Sequence, residues 1–211
     1  MWNIVRGAIR WFSERLNAPP FVDCMPCSSM GVLRYTGVLV KDGDQFAIRA
    51  HIPGHPKGGL TFWQVFQGIQ ALWNAAHPGV PVPVIATTVD DAFILANLKV
   101  VGTARRNTTA FHVALDMGKV PAGTPLRRLT GPKYKGGHAI HIAAKSKDGT
   151  QLYIFNPMGH DAAHPPKHPP KGWVPYTGQL VPVADVMHAV QRGPSGKVKT
   201  IYGVFNAARK Q

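Results

Sequence analysis

Cys24 and Cys27 are the two cysteines of this 211-residue chain, and Pro26 lies between them. Proline is favoured in the first turn of a helix, where its missing N–H costs no hydrogen bond. A cysteine at a helix N-terminus lies in a region of partial positive charge, which favours the thiolate over the thiol. Because the thiolate is the nucleophile, the pattern predicts a nucleophilic cysteine at position 24.

A nucleophilic cysteine needs a base, and the base needs a group that orients it. His138 follows two glycines at the start of an apolar run, which predicts a strand that begins at a cleft edge. Asn156 ends the next apolar run, after the turn signal Asp148-Gly149. In a hairpin, the start of the first strand lies beside the end of the second. The sequence therefore predicts that Asn156 orients the His138 ring.

These residues carry a resemblance to papain-like cysteine peptidases. The segment from Asp23 to Met30 resembles the Asp-Cys-x-Pro helix start of the bacteriocin-leader-processing branch, which has relatives among bacterial and phage wall-degrading proteins. Tyr35-Thr36-Gly37 resembles the Tyr-x-Gly that often closes this helix. The Gly-His-apolar strand start of the family is matched at Gly137-His138, and its Asp or Asn before Pro is matched at Asn156-Pro157.

The resemblance implies an α+β fold of papain-like type, with N-terminal helices packed on an antiparallel sheet. It implies Cys24 as the nucleophile, His138 as the general base and acid, and Asn156 as the orienting residue. The family usually has a Gln six residues before the nucleophile that donates to the oxyanion. Ala18 stands at that position here, which leaves three alternatives: Asn17 is the donor, or the backbone N–H of Cys24 acts with another donor, or the oxyanion hole is incomplete.

Two other chemistries are compatible with Cys-Met-Pro-Cys. The thioredoxin pattern needs a strand directly before the motif, within a βαβ unit, whereas Pro19-Pro20 ends a predicted helix there. A zinc site could join Cys24 and Cys27 to His51 and His55, but the gap is longer than in common zinc fingers. A chain with a core of this size needs no metal to fold, so we expect no metal and no cofactor.

Apolar residues at spacings of three and four predict helices. These helices cover Trp2–Leu16, Asp23–Tyr35, Thr61–Ala76, Asp91–Leu98 and Val183–Arg192. Residues 1–20 are expected to form an amphipathic N-terminal arm, and residues 21–211 a single domain that ends in a basic tail.

Alternating or continuous apolar runs predict the strands. They cover Thr109–Leu115, His138–Ala144, Leu152–Asn156 and Lys197–Phe205, whereas Val80–Ala86 contains two prolines and is an edge strand or no strand. The proline-rich run from His160 to Lys171 predicts an extended loop.

Three further residues near these motifs have structural interpretations. Alternation along the strand places His141 on the face opposite His138 and turns His112 outward. Cys27, one helical turn from Cys24, is interpreted as a small core residue.

The net charge of +14 and the pI near 10.2 predict attraction to polyanions such as a bacterial cell wall, an anionic membrane face or nucleic acid. No DNA-reading motif occurs, so nucleic acid binding would depend on charge alone. We expect no transmembrane segment and no signal peptide, because no apolar run is long enough.

A small basic chain of this kind fits a phage protein located in the virion, or in the host cytoplasm before release. The resemblance implies cleavage of peptide bonds, and peptidoglycan is the expected substrate. The alternative is a non-catalytic phage structural protein on a peptidase-like fold, which would contact other virion proteins through its N-terminal helix.

Overall fold

A computed structural model describes residues 24–35, 44–54, 58–103, 109–130, 135–155 and 179–204. In these residues, helices pack on a single antiparallel sheet, so the chain has the expected α+β architecture. The predicted arm, residues 1–20, and the proline-rich run from His160 to Lys171 lie outside the described residues.

The described helices are α1 (Cys24–Tyr35), α2 (Asp44–Ala50), α3 (Phe62–Ala76), α4 (Asp91–Asn97), α5 (Pro125–Thr130) and α6 (Val183–Ala189). The strands are β1 (Ile85–Val89), β2 (Thr109–Asp116), β3 (Gly137–Lys145), β4 (Gln151–Phe155), β5 (Gln179–Pro182) and β6 (Val198–Val204). A short 3₁₀ turn, Met117–Lys119, follows β2.

The sheet has the strand order β1-β6-β2-β3-β4-β5, and each neighbouring pair of strands is antiparallel. β2 and β3 therefore lie at its centre, and β1 and β5 form its two edges. Both central strands are apolar along nearly their whole length because helices cover both faces of the sheet.

Each face of the sheet has its own apolar core. One core joins Phe111, Val113 and Leu115 of β2 to α4, α5 and α6. The other joins Ala110 and Ala114 of the same strand to α1, α2 and α3. This division follows from the two-residue repeat of a strand, which sends odd and even positions of β2 to opposite faces.

Small side chains let α1 approach the centre of the sheet. Ala114 of β2 and Ala139 of β3 stand directly opposite each other on the α1 face. On the helix, Gly31 lies so close to His141 that a Cβ atom there would be 2.5 Å from the Nδ1 atom of the ring. The helix that begins at Cys24 is therefore fixed closely against β2 and β3.

Local sequence signals account for two of these elements. Thr61 caps α3: its hydroxyl accepts from the backbone N–H of Gln64, and its own N–H donates to the Gln64 side chain. This capping box satisfies two donors that a helix start otherwise leaves unpaired. Asp148 accepts from the backbone N–H of Thr150 in the turn between β3 and β4, where Gly149 has a φ of 72°. The hairpin prediction is thus confirmed.

The structure also departs from the expected elements. The edge strand near the prolines is β1, which begins at Ile85, after Pro81 and Pro83 rather than across them. Helix α6 ends at Ala189, and the chain then forms isolated bridges at Val190 and Arg192. The short elements α2, α5 and β5 carry too few residues to show a period, and the sequence did not reveal them.

Candidate active site at the start of helix α1

Cys24 is the first residue of α1, as its position before Pro26 predicts. Its side chain is 9% exposed and belongs to the core on the α1 face of the sheet. The first turn of the helix contains no acidic residue that would offset the positive end of the helix dipole. Cys27, which is half-buried rather than a core residue, lies one turn further along, and the two cysteines form no disulfide.

His138 is the second residue of β3 and is 1% exposed. In the register it stands directly opposite Leu115, whose side chain packs in the core on the far side of the sheet. Residues opposite each other in an antiparallel pair share a face, so His138 lies on the face away from α1. The structure therefore places His138 at the expected strand start but on the opposite face of the sheet from Cys24.

The other two predicted site residues, Asn156 and Asn17, lie outside the described residues. The described part of β4 ends at Phe155, which stands opposite His141 in the register. This last pair lies three positions further along β3 than His138. The orienting role of Asn156 and the oxyanion role of Asn17 stay predictions.

Two other histidines lie directly beneath α1. His112 of β2 and His141 of β3 stand opposite each other in the register, and both are buried. The position of His141 on the face opposite His138 confirms the alternation argument. The outward placement expected for His112 is wrong, because α1 and α3 cover that face of the sheet.

Hydrogen bonds fix the tautomer of His112. The Ser29 hydroxyl donates to the Met25 carbonyl oxygen at 3.0 Å, so it can only accept from His112 Nδ1, which lies 3.4 Å away. Nδ1 then carries the hydrogen, and Nε2 is left as an acceptor. Nε2 is buried and has no hydrogen-bond partner in the part of the chain that the structure describes.

The pKa of each ring is lowered to about 3, for His141 by burial and for His112 chiefly by burial, with a smaller contribution from repulsion by His141. Both rings are thus uncharged at neutral pH. A base whose pKa lies far below the working pH has little driving force to take a proton. The two histidines beneath α1 are therefore poor candidates for the catalytic base and fit a packing role, with His141 stacked on Phe155 at a ring distance of 5.3 Å.

Gly31→Ala tests this packing directly. The added Cβ would overlap the His141 ring, which is also stacked on Phe155. Overpacking costs about 1–3 kcal/mol, whereas alanine in a helix gains about 1 kcal/mol over glycine. We expect Gly31→Ala to lower the free energy of unfolding by up to about 2 kcal/mol in urea denaturation.

Gly59→Ala is the matched control, because no atom lies within 4 Å of a Cβ placed there. It should leave the free energy of unfolding within about 0.5 kcal/mol of the parent value. A Gly31→Ala variant more stable than the parent protein would show that α1 does not pack against His141 as described.

The described residues offer no support for the alternative chemistries of the two cysteines. The strands of the described sheet pair antiparallel throughout, whereas a thioredoxin-like motif needs a parallel βαβ unit. In the described residues, no group of three or more His, Cys, Asp or Glu side chains could hold a metal ion. His51 is exposed, with its Nδ1 atom 2.7 Å from the Ala47 carbonyl oxygen, and His55 lies outside those residues.

No family model matches the chain, and no curated protein has a significantly similar sequence. Across the described part of the chain, none of the helices is both long and apolar enough to cross a bilayer.

Proposed function

We propose that the protein is a cysteine peptidase or amidase in which Cys24 is the nucleophile, His138 the general base and acid, and Asn156 the residue that orients His138. One observation carries the proposal. Cys24 begins a helix that packs on β3, and His138 is at the start of that same strand.

Helix and strand dimensions support this pairing. Gly31 lies against His141, which fixes one point of contact between α1 and β3. From Gly31 back to Cys24 the helix spans about 10.5 Å, at 1.5 Å per residue. From His141 back to His138 the strand spans about 10 Å. A helix that runs in the same sense as β3 would therefore bring Cys24 level with His138.

The chemistry adds one requirement. His138 lies on the far face of the sheet, so its ring has to reach the Cys24 sulfur around the beginning of β3. Gly136 and Gly137 precede it there, and both are exposed. Because these residues have no side chains, the end of the strand offers room for the ring and for an extended substrate.

The reaction would be hydrolysis of an amide through a thioester. The Cys24 thiolate attacks the carbonyl carbon, and the oxyanion accepts hydrogen bonds from the backbone N–H of Cys24 and from a second donor, for which Asn17 is the candidate. His138, which has taken the proton of the Cys24 thiol, gives it to the leaving amine. A water molecule activated by the same ring then hydrolyses the thioester, which releases the acid and restores the Cys24 thiol.

Peptidoglycan is the proposed substrate, and a phage lysin or virion-associated enzyme the proposed setting. The net charge of +14 supports this choice, since it would hold the enzyme at an anionic cell wall. The resemblance to wall-degrading peptidases supports it as well. The same charge allows nucleic acid binding, and the N-terminal arm could contact other virion proteins.

The position of His138 favours a second candidate. A ring that is 1% exposed, on the face away from α1, is also what a non-catalytic protein with a peptidase-like fold would contain. Such a protein would be a structural component of the virion. The reactivity of Cys24 separates the two candidates.

Alkylation by iodoacetamide at pH 6 provides the test. Cys24 is more buried than Cys27, so exposure alone would make Cys27 react first. A nucleophile activated by the helix N-terminus and a histidine reverses this order, and we expect Cys24 to react at least about tenfold faster. Peptide mass spectrometry reads both sites in one sample. Faster labelling of Cys27, or no labelling of Cys24 below about pH 8, would favour the non-catalytic candidate.

A further inference from the structure

The side-chain amide of Gln191 lies beside the start of β3. Gln191 comes two residues after the end of α6 and directly follows the isolated bridge that Val190 forms with Leu115. Its Nε2 atom donates to the Leu115 carbonyl oxygen at 3.2 Å. The same atom is 3.4 Å from the position that a Cβ atom of Gly137 would occupy. The amide is therefore next to the glycine that precedes His138.

This amide lies on the α1 face of the sheet. Successive side chains of a strand point to opposite faces, so Gly137 belongs to the face opposite His138. That is the face of Ala139, which packs in the core with α1. A Cβ atom at Gly137 would point to this face, where it would meet the Gln191 amide. Alternation after Val190, which packs in the core of the far face, sends the Gln191 side chain the same way.

Helix and strand dimensions bring Cys24 close to the level of this amide. Gly31 lies against His141, which fixes one point of contact between α1 and β3. From there the strand spans about 13 Å back to Gly137, and the helix spans about 10.5 Å back to Cys24. In the arrangement of the proposed function, α1 runs in the same sense as β3. The amide then lies about 3 Å beyond the level of Cys24, at the positive end of the helix.

Hydrogen bonds hold Gln191 in place and leave one donor available. Its backbone N–H donates to the Ala114 carbonyl oxygen at 2.8 Å, and its backbone carbonyl oxygen accepts from the Lys199 N–H. The Leu115 carbonyl oxygen takes one of the two N–H groups of the side-chain amide. Among the described residues, this amide has no second acceptor. Because Gln191 is exposed, its remaining N–H can donate to a bound substrate.

A carboxylate also belongs to this end of the sheet. Asp116 stands opposite Gly137 in the register. Its Oδ1 atom accepts from the backbone N–H of Gly118 at 3.0 Å, in the turn that follows β2. The Asp116 side chain is thus an acceptor that is already bonded, whereas the Gln191 amide supplies a donor.

We propose that the Gln191 side chain donates the second hydrogen bond of the oxyanion hole, beside the backbone N–H of Cys24. This role rests on the proposed function, and it gives to a described residue the part for which Asn17 is the sequence-based candidate. When the Cys24 sulfur bonds to a carbonyl carbon, the π electrons of the carbonyl group move onto its oxygen. An amide N–H that Leu115 already holds in place stabilises this negative charge without having to reorient.

Two reagents that act on the same sulfur atom test this role. 4-Nitrophenyl acetate transfers its acetyl group to a thiolate through a tetrahedral oxyanion and releases 4-nitrophenolate. Iodoacetamide alkylates the thiolate by displacing iodide and forms no oxyanion. The measured quantity is the ratio of the acylation rate to the alkylation rate, each corrected by the rate of the Cys24→Ala variant.

We expect Gln191→Ala to lower this ratio at least about tenfold. Loss of one oxyanion donor typically costs about 100- to 1000-fold in kcat, and an activated ester depends on the donor less than an amide does. Gln191→Glu keeps the length of the side chain but replaces the donor by a carboxylate, so its ratio should fall at least as far. A merely structural role of Gln191 would change both rates together and leave the ratio unaltered.

Gln67→Ala is the matched control, because Gln67 is an exposed glutamine on α3. Its ratio should stay within about twofold of the parent value. Thermal unfolding of all three variants shows whether each has folded. Gln191→Ala keeps both backbone hydrogen bonds of the residue and loses one side-chain bond, so the fold should persist.

The outcomes separate this proposal from the proposed function. If Cys24 reacts with both reagents and Gln191→Ala leaves the ratio unchanged, the oxyanion role is wrong and the nucleophile stands. A ratio that falls in Asn17→Ala but not in Gln191→Ala would likewise overturn the proposal. If Cys24 reacts with neither reagent faster than Cys27 does, the nucleophile is wrong, and the oxyanion role of Gln191 is wrong with it.

Discussion

Replacement of Cys24 by alanine is expected to lower the rate of cell-wall clearing at least about 1000-fold, because a thioester cannot form without the thiol. The readout is loss of turbidity in a suspension of purified peptidoglycan, with release of free amino groups as a second measure. Cys24 is buried at the start of α1, and alanine removes only its sulfur atom, so the fold should persist. Thermal unfolding of the variant checks this.

Cys27→Ala is the matched control for that experiment. Cys27 lies one turn further along α1 and has the same thiol without the position at the helix start. We expect this variant to keep the activity of the parent protein within about twofold. Equal activity of Cys24→Ala and Cys27→Ala would remove Cys24 as the nucleophile. If the parent protein clears no cell wall and releases no amino groups, the non-catalytic candidate gains support.

The helix that carries Cys24 could be predicted because its signals are local. Pro26 marks a first turn, and the structure begins α1 two residues earlier, at Cys24. The capping box of Thr61 and the Asp148-Gly149 turn are likewise short patterns that fix backbone hydrogen bonds within a few residues. In each case, the groups that stabilise the element lie inside the element itself.

The apolar pattern of the sequence does not determine on which face of the sheet each histidine lies. That placement depends on contacts with other elements of the fold. A shift of one residue moves every side chain of a strand to the opposite face of the sheet. The apolar positions around His138 occur in both alternate sets, because β3 is buried on both sides. The sequence therefore located His138 at a strand start but could not show that it shares the face of Leu115 rather than that of α1.

The burial of His112 and His141 could have been predicted from the continuous apolar character of β2 and β3. Each ring lies between apolar neighbours in a strand without polar alternation. Such strands are covered on both faces, so a histidine inside one is buried whichever way it points. The prediction that His112 points outward was wrong because it assumed that one face of the sheet is exposed to solvent.

The second large effect is a steep loss of stability in mild acid. His112 and His141 have pKa values lowered from 6.5 to about 3, chiefly by burial. The unfolded chain takes up protons below about pH 6.5, whereas the folded protein does not protonate these rings until about pH 3. Their contribution to stability is therefore complete above pH 6.5 and decreases as the pH falls through this window.

The size of this effect follows from proton linkage. Each ring costs up to about 1.4 kcal/mol per pH unit and half of that at pH 6.5, so the two together remove roughly 3 kcal/mol between pH 6.5 and pH 5. A typical domain has only about 5–15 kcal/mol of stability, and acid unfolding is expected well above pH 3. Urea denaturation between pH 7 and pH 5 measures the slope above the range in which carboxyl groups ordinarily titrate, near about 4.

His141→Gln should reduce by about half the part of this slope that the two rings contribute, because His112 alone of the pair remains. His188→Gln is the matched control, since His188 is exposed on α6 and should leave the slope unchanged. An unaltered slope in His141→Gln would show that acid sensitivity arises elsewhere. Because both rings lie between α1 and the sheet, protonation would loosen the contact that holds Cys24 in place. Loss of stability and slower alkylation of Cys24 should therefore occur over the same pH range.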